Sequence, residues 1–317
     1  MNPPASSTPP AFRPRRDHRK KGSALILVLW CLLLLGMAVL GVVDMVELSV
    51  DHSAQNQTAL QARALALSGL AFGFNPQLLK NDPLLNQQAG PGQQFNVNIE
   101  SEGARLNLNY VLQSGHREIL VNLFTQWGLQ LADADHVADC LYDWITPGDL
   151  RSLNGAKASD YEAAGLPQRP TYQAFTSLDE VTQVMGMDLI QKVRPNWRDS
   201  FTLWSAGALN VNEAPADLIA AVFGIDPSRV TFFTSVRNGR DGIPGTPDDV
   251  PVPNVQALQA DLGISDLAMK TLGAEISFQD PFRRVESVGQ VQGVRVMISV
   301  VTRLNANPPQ YLLWSEQ

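Results

Sequence analysis

The chain has 317 residues, enough to bury a proper core without disulfide or metal staples. Its formal net charge of -7 hides an asymmetry, because six bases (Arg13, Arg15, Arg16, Arg19, Lys20, Lys21) and one acid, Asp17, precede residue 44, leaving the remainder more acidic than the whole. An acidic body speaks against nucleic acid, whose phosphates need a basic surface, and two distant cysteines, Cys31 and Cys140, give neither a disulfide framework nor a metal cluster.

In chain order, the bases lead into "GSALILVLWCLLLLGMAVLGVV", uncharged from Ser23 to Val43. At 1.5 Å rise per residue, about twenty helical residues cross roughly 30 Å of hydrocarbon, so this run is long enough to span a membrane. Cations before it and acids after it place the N-terminus in the cytoplasm and the body outside. The helical pattern continues without proline to Pro76, and Leu60, Ala64, Leu67 and Ala71 recur at three- and four-residue spacing, which predicts one face packed on a globular body. Close contact between such helices within lipid would go through Gly36, Ala38 and Gly41.

A basic leader ending in Gly22, then a two-zone helix, resembles the type IV pilin and pseudopilin family. The resemblance implies cleavage after Gly22 by a prepilin peptidase and N-methylation of Ser23. Most members carry Glu at the fifth mature position, where this chain has Leu27; that carboxylate is thought to neutralise a neighbour's amine in lipid. A tip subunit has no neighbour ahead to pair with, so Leu27 marks a tip rather than a shaft component. An uncleaved signal anchor is the plain alternative.

Past the helix, "NDPLLNQQAGPGQQ" reads as a linker and "FNVNIESEGARLNLNYV" as strand on both sides of Glu102 and Gly103. At the far end, "FRRVESVGQVQGVRVMISVVTRL" predicts two strands around Gly289 to Gly293, and "QYLLW" a third. Together these predict an α+β fold, in which a long N-terminal helix packs on a small antiparallel, pilin-like sheet carrying a large inserted all-α domain. The expected parts are a leader (1–22), the helix (23–75, with 23–43 transmembrane), the sheet (76–106 and 275–317) and the insertion (107–274).

The insertion repeats one device. In "LDEVTQVMGMDLIQKVRP", "ADLIAAVFGIDPSRV" and "VQALQADLGISDLAMKTLG", Gly186, Gly224 and Gly263 end helices, while Asp188, Asp226 and Ser265 start the next. These are helix-hairpin-helix units, making the insertion SAM-like. Such hairpins can bind DNA phosphates, so a membrane-anchored nucleic-acid-binding protein of a DNA-uptake type is the alternative function. Here, however, carboxylates would meet the phosphate at two of the three turns. In "ALNVNEAP", Asn212 reads as the cap of a helix starting near Ala214. Cys140, on an apolar helix face, reads as a buried inert thiol, and His116 and His136 as isolated helix-surface residues. No triad, zinc or phosphate-loop motif occurs, so the reading is non-enzymatic.

The ordered set "GARLNLN", "LYDWITPGD", "NGAKASDYE", "FTSLDEVTQVMGM", "LNVNEAPADLIAAVFGI" and a terminal "YLLW" resembles the general secretion pathway protein K family of minor pseudopilins in bacterial type II secretion. The resemblance implies a single-pass inner-membrane protein with its head in the periplasm, at the pseudopilus tip. Its implied partners are the I- and J-type minor pseudopilins, other pseudopilins, the prepilin peptidase and the inner-membrane platform, with the secreted substrate or the outer-membrane channel as further contacts, and no nucleic acid. In the family, the segment after "DW" is acidic and associated with calcium. This chain keeps Asp143, Asp149 and Asp160 but has Thr146 and Lys157 where acids are expected, and an ammonium at a ligand position removes an oxygen and adds repulsion. A second calcium candidate is "NGRDGIPGTPDDV", where Asp241, Asp248 and Asp249 form either a cation-gathering turn or a solvated acidic loop.

Overall fold

The computed structural model describes residues 23–166, 169–242, 246–304 and 310–317. Gly22 and the leader before it lie outside the described residues. The chain divides into two compact units, residues 1–57 and 58–317. Helix α1 (Ser23–Gly73) supplies the described part of the first unit and enters the second.

In the second unit, β1 (Asn86–Gly90) and β2 (Gln93–Ser101) begin a sheet that later strands complete. The chain then runs through β3 (Leu106–Asn107), α2 (Leu108–Ser114), α3 (Glu118–Gln126), α4 (Leu131–Ile145), α5 (Ala158–Ala163), α6 (Leu178–Val181) and α7 (Met187–Val193). After β4 (Phe201–Thr202) and β5 (Leu209–Asn210) come α8 (Ala216–Phe223), α9 (Pro227–Arg237), α10 (Val255–Leu262), α11 (Asp266–Leu272) and β6 (Ile276–Ser277). Finally β7 (Phe282–Val291), β8 (Val294–Arg303) and β9 (Gln310–Glu316) return to the sheet. Among the described residues that sheet is five-stranded and antiparallel, in the order β1-β2-β7-β8-β9. The short pairs β3–β4 and β5–β6 are parallel.

Residues 58–73 of α1 lie on the sheet through Ala62, Ala66, Gly69, Leu70 and Gly73, over a core of Phe95, Val97, Val285, Ile298 and Val300. This face corrects the expected one: Leu60, Ala64 and Ala71 are exposed and Leu67 is half-buried. The reason is clearance. A Cβ on Gly289 of β7 would overlap the Ala62 carbonyl, and one on Gly73 the Val285 side chain. Ala62, Ala66, Gly69 and Gly73 let the helix backbone settle near the strands, with Leu70 as the large side chain on that face and Leu60 turned outward.

The second strand expected in "RLNLNYV" is also corrected. Only Leu106–Asn107 is strand, because the Asn107 side chain accepts a hydrogen bond from the Tyr110 N–H (3.1 Å) and starts α2. Asn212 does not cap α8, whose cap is Pro215; it instead pairs with the Val252 N–H (2.7 Å) and the Val252 and Phe278 carbonyls. At Gly224, Asp226 and Pro227, and at Gly263 and Ser265, local chemistry prevails. Each Gly is left-handed, and Asp226 and Ser265 cap α9 and α11 through Ser228 and Ala268. In the remaining hairpin Gly186 itself caps α7, and Asp188 sits in the first turn, paired with Lys192.

The sheet meets the helical region at Glu102, which is fully buried. Arg284 of β7 grips its carboxylate with two bonds, at 2.7 and 2.8 Å, while Thr202 of β4 donates its hydroxyl and Arg105 adds a longer contact at 3.4 Å. Burial alone would push this carboxyl up, but Arg284, Thr202 and Arg105 together outweigh it and hold the carboxyl below its ordinary range. One carboxylate thus ties β7 to β4.

Removing the fork with Arg284→Ala leaves a buried carboxylate without its main partner, and denaturant unfolding of the detergent-solubilised chain should show a loss of about 3–5 kcal/mol. Because the folded carboxyl lies below its unfolded value, its stabilisation is complete above the ordinary carboxylate pKa of 4.5 and disappears as pH falls through the lower folded value. Glu102→Gln should therefore flatten the acid limb of the stability profile.

Candidate functional site

Two regions bear on function. The first is the described part of unit one. Leu25–Val43 is long and apolar enough to cross a membrane and none of it is buried; its large apolar side chains are 46–74% exposed, Leu27 at 65%. Helix-interior glycine costs about 1 kcal/mol relative to alanine, yet a Cβ at Gly36 or Gly41 would meet nothing within 4 Å. Among the described residues, no packing contact requires these glycines. Ser23 is the first residue of α1.

The second region is the segment between α4 and α5. Asp139 and Asp143 lie one turn apart on the inner face of α4 and are buried. The Asp139 carboxylate accepts from Arg117 Nε (2.7 Å), the Asn154 N–H (3.0 Å) and Asn154 Nδ2 (3.2 Å). That of Asp143 accepts from the Ser152 N–H (3.0 Å) and the Ser152 hydroxyl (3.0 Å). Together they fold residues 146–155 back onto the helix. Gly155 sits so close that a Cβ there would overlap Asp143 Oδ2. Trp144 is buried beside Tyr161 and Phe175, and its indole N–H donates to Glu180 Oε1 (3.0 Å).

Asp143, Asp149 and Asp160 are not brought together as a ligand set. Asp149 is exposed on the loop, and Asp160 is half-buried at the start of α5. The Asp160 carboxylate accepts from the Lys157 N–H (2.8 Å) and from Arg151 (2.9 Å); the Lys157 N–H first, with Arg151, holds it below the usual range. Lys157 is itself buried, with its ammonium 3.6 Å from Asp143 Oδ1 and donating to the Asp143 and Thr146 carbonyls, so a cation already occupies the oxygens beside Asp143. The residues of this loop therefore do not fit a calcium ion. On the other loop, Thr246 Oγ1 lies 2.7 Å from Asp248 Oδ1 and 3.3 Å from both Asp241 Oδ1 and Asp249 Oδ1; residues 243–245 are outside the described set. Among the described residues no group of three His, Cys, Asp or Glu side chains is disposed to hold a metal ion.

Cys140 is fully buried and its thiol is pushed up to about 12, by burial first and then by Asp143 and Asp139, so it stays protonated and inert. His136 is not a lone surface residue, since its Nδ1 is 2.6 Å from the Asn154 carbonyl on the folded-back loop. His116 is likewise engaged, with Glu118 at 2.9 Å. Gly155 belongs to the "NGAKASDYE" segment that the sequence points to, but Ser152 and Tyr172 carry no sequence signal. Each acts through a contact with a residue many positions away, which spacing does not reveal.

A family model for the type II secretion system, protein K, first domain, matches residues 104–196, the stretch from β3 through α7 that contains this loop. The protein K match thus takes in Asp139, Asp143, Trp144, Lys157 and Glu180, the residues that build the loop and its surroundings. In fold, the chain is similar to one in the crystal structure of the GspK-GspI-GspJ complex from the enterotoxigenic Escherichia coli Type 2 Secretion System, with a TM-score of 0.63, covering 85% of this chain and 99% of that one. Identity is 18%, so the likeness is one of fold. A comparison with curated protein sequences gives no match.

Gly155→Ala should force the loop off Asp143 and lower stability by about 1–3 kcal/mol. Thermal unfolding followed by tryptophan fluorescence reads this directly.

Proposed function

We propose that the chain is a minor pseudopilin of a bacterial type II secretion system, sitting at the tip of a periplasmic pseudopilus with I- and J-type partners and initiating its assembly. One observation carries the reading: a membrane-length apolar helix, unburied by its own chain, is joined in sequence to a head whose helical part matches protein K and whose fold resembles a chain of the GspK-GspI-GspJ complex. The role is structural rather than catalytic. The prepilin peptidase cuts after Gly22, Ser23 becomes the methylated N-terminus, and Leu27, lacking the carboxylate of shaft subunits, suits a leading position. The N-terminus faces the cytoplasm, the head faces the periplasm, and residues 107–274 form a SAM-like insertion.

Helices already in lipid gain little from hydrophobicity when they meet, so close approach must come from small residues. Gly36 and Gly41, where a Cβ would meet nothing within 4 Å among the described residues, support packing against partner helices, with Ala38 between them. Other pseudopilins and the inner-membrane platform meet this helix, while the head faces the secreted substrate or the outer-membrane channel.

The nucleic-acid reading is not favoured. At the helical hairpins, Lys192 holds the Asp188 carboxyl below its usual range, and the Ser228 hydroxyl and N–H do the same for Asp226. Both stay ionised where a phosphate would have to approach.

Mass spectrometry of membrane-extracted protein should find Ser23 at the mature terminus of the wild type and the leader retained in Gly22→Val. An uncut wild type that supports secretion would refute the pilin-type processing. Doubling the bulk with Gly36→Leu and Gly41→Leu should leave head unfolding unchanged yet reduce co-extraction with I- and J-type partners about tenfold, the effect of 1.4 kcal/mol lost at a packed helix contact.

A further inference from the structure

The loop after α4 encloses one positive charge. Lys157, only 5% exposed, donates from its ammonium to the carbonyl oxygens of Thr146 (2.8 Å) and Asp143 (3.2 Å) and lies 3.6 Å from Asp143 Oδ1. Those carbonyls belong to the end of α4, where the helix leaves acceptors unpaired and carries the negative end of its dipole. Tyr172 closes the remaining side, its ring 5.2 Å from the ammonium. To reach that position Tyr172 takes φ of 56°, a left-handed conformation unfavourable for a residue with a side chain, while its N–H donates to the Trp144 carbonyl (2.9 Å). Two carbonyls, one carboxylate and one aromatic face thus surround a single nitrogen.

We propose that the Lys157 ammonium is a resident cation, closing the segment between α4 and α5 in place of a divalent ion. The oxygens around it are of the kind that ligate hard cations, but calcium needs about six to eight of them, and here the central position is filled by nitrogen. A second cation would have to displace a buried, fully engaged ammonium or accept its repulsion. Because the charge is covalently attached, the loop closes whatever the free calcium concentration. Asp143 serves both sides of the device, accepting from Ser152 on the loop while facing the ammonium. The segment held in this way carries Leu150 and Leu153, 92% and 90% exposed, at fixed positions on the head.

The test is trypsin cleavage after Arg151, which lies within the loop, read by mass spectrometry on the full chain in detergent with either millimolar calcium or a chelator. Cleavage of a transiently opened loop follows the open population, so it reports this site alone, whatever happens at Asp241, Asp248 and Asp249. The wild type should be cut at the same rate in both conditions, a comparison that needs no variant. Lys157→Met, which keeps the apolar stem, should be cut about tenfold faster or more in both, the factor that corresponds to losing one charge-assisted hydrogen bond. Lys157→Glu should be cut fast in chelator and be slowed by calcium, because it restores an oxygen where the nitrogen stood. A wild-type loop that opens on chelation, a Lys157→Met loop as resistant as wild type, or a Lys157→Glu loop indifferent to calcium would each overturn the proposal.

Discussion

The close approach of residues 58–73 to the sheet constrains everything built on it. Gly289 leaves room for the Ala62 carbonyl, and Gly69 and Gly73 leave room for side chains of β2 and β7, so helix and sheet meet with little between them but small residues. Dispersion and apolar burial at such short range reward shape more than size, which explains why Ala62, Ala66, Gly69 and Gly73 face inward beside Leu70 while Leu60 faces out. The same helix carries the apolar run Leu25–Val43, whose large side chains are exposed. A single helix therefore carries an exposed apolar run long enough to cross a membrane in its first part and a face buried on the sheet in its second.

The helical region is held to that frame by charge rather than by a continuous apolar core. The two hydrophobic clusters are distinct, one under the sheet and one among the helices. Between them lies Glu102, buried and held by Arg284, Thr202 and Arg105. A buried ion pair of this kind gains little over a well-packed apolar contact but is costly to break, so it fixes one mutual placement of sheet and helices. The same economy recurs at Asp139, Asp143 and Lys157, where polar groups inside the head shape a loop instead of performing chemistry.

Much of this was legible in the sequence where chemistry is local. Gly224, Asp226 and Pro227, and again Gly263 and Ser265, form helix ends because each residue's own conformational and capping preference acts on its neighbours. The apolar run from Leu25 and the strands from Phe282 were legible for the same reason, through composition and period. Where a side chain answers to distant partners, the reading failed. Leu106 and Leu108 alternate as in a strand, yet Asn107 prefers to cap. Asn212 looks like a cap, yet two other segments claim its amide. Lys157 reads as a repulsive intruder among acids, whereas the end of α4 and Tyr172 make a place for it. The buried stripe of α1 was misplaced because hydrophobic spacing says nothing of how near a sheet must come.

A pseudopilin of this kind acts only in assembly with its partners. Native mass spectrometry of the full chain, co-expressed with I- and J-type minor pseudopilins and extracted from the membrane, measures it most directly. A complex holding one copy of each is the predicted result. Recovery of the chain alone, or only as an oligomer of itself, with both partners present in the same membrane, would contradict it.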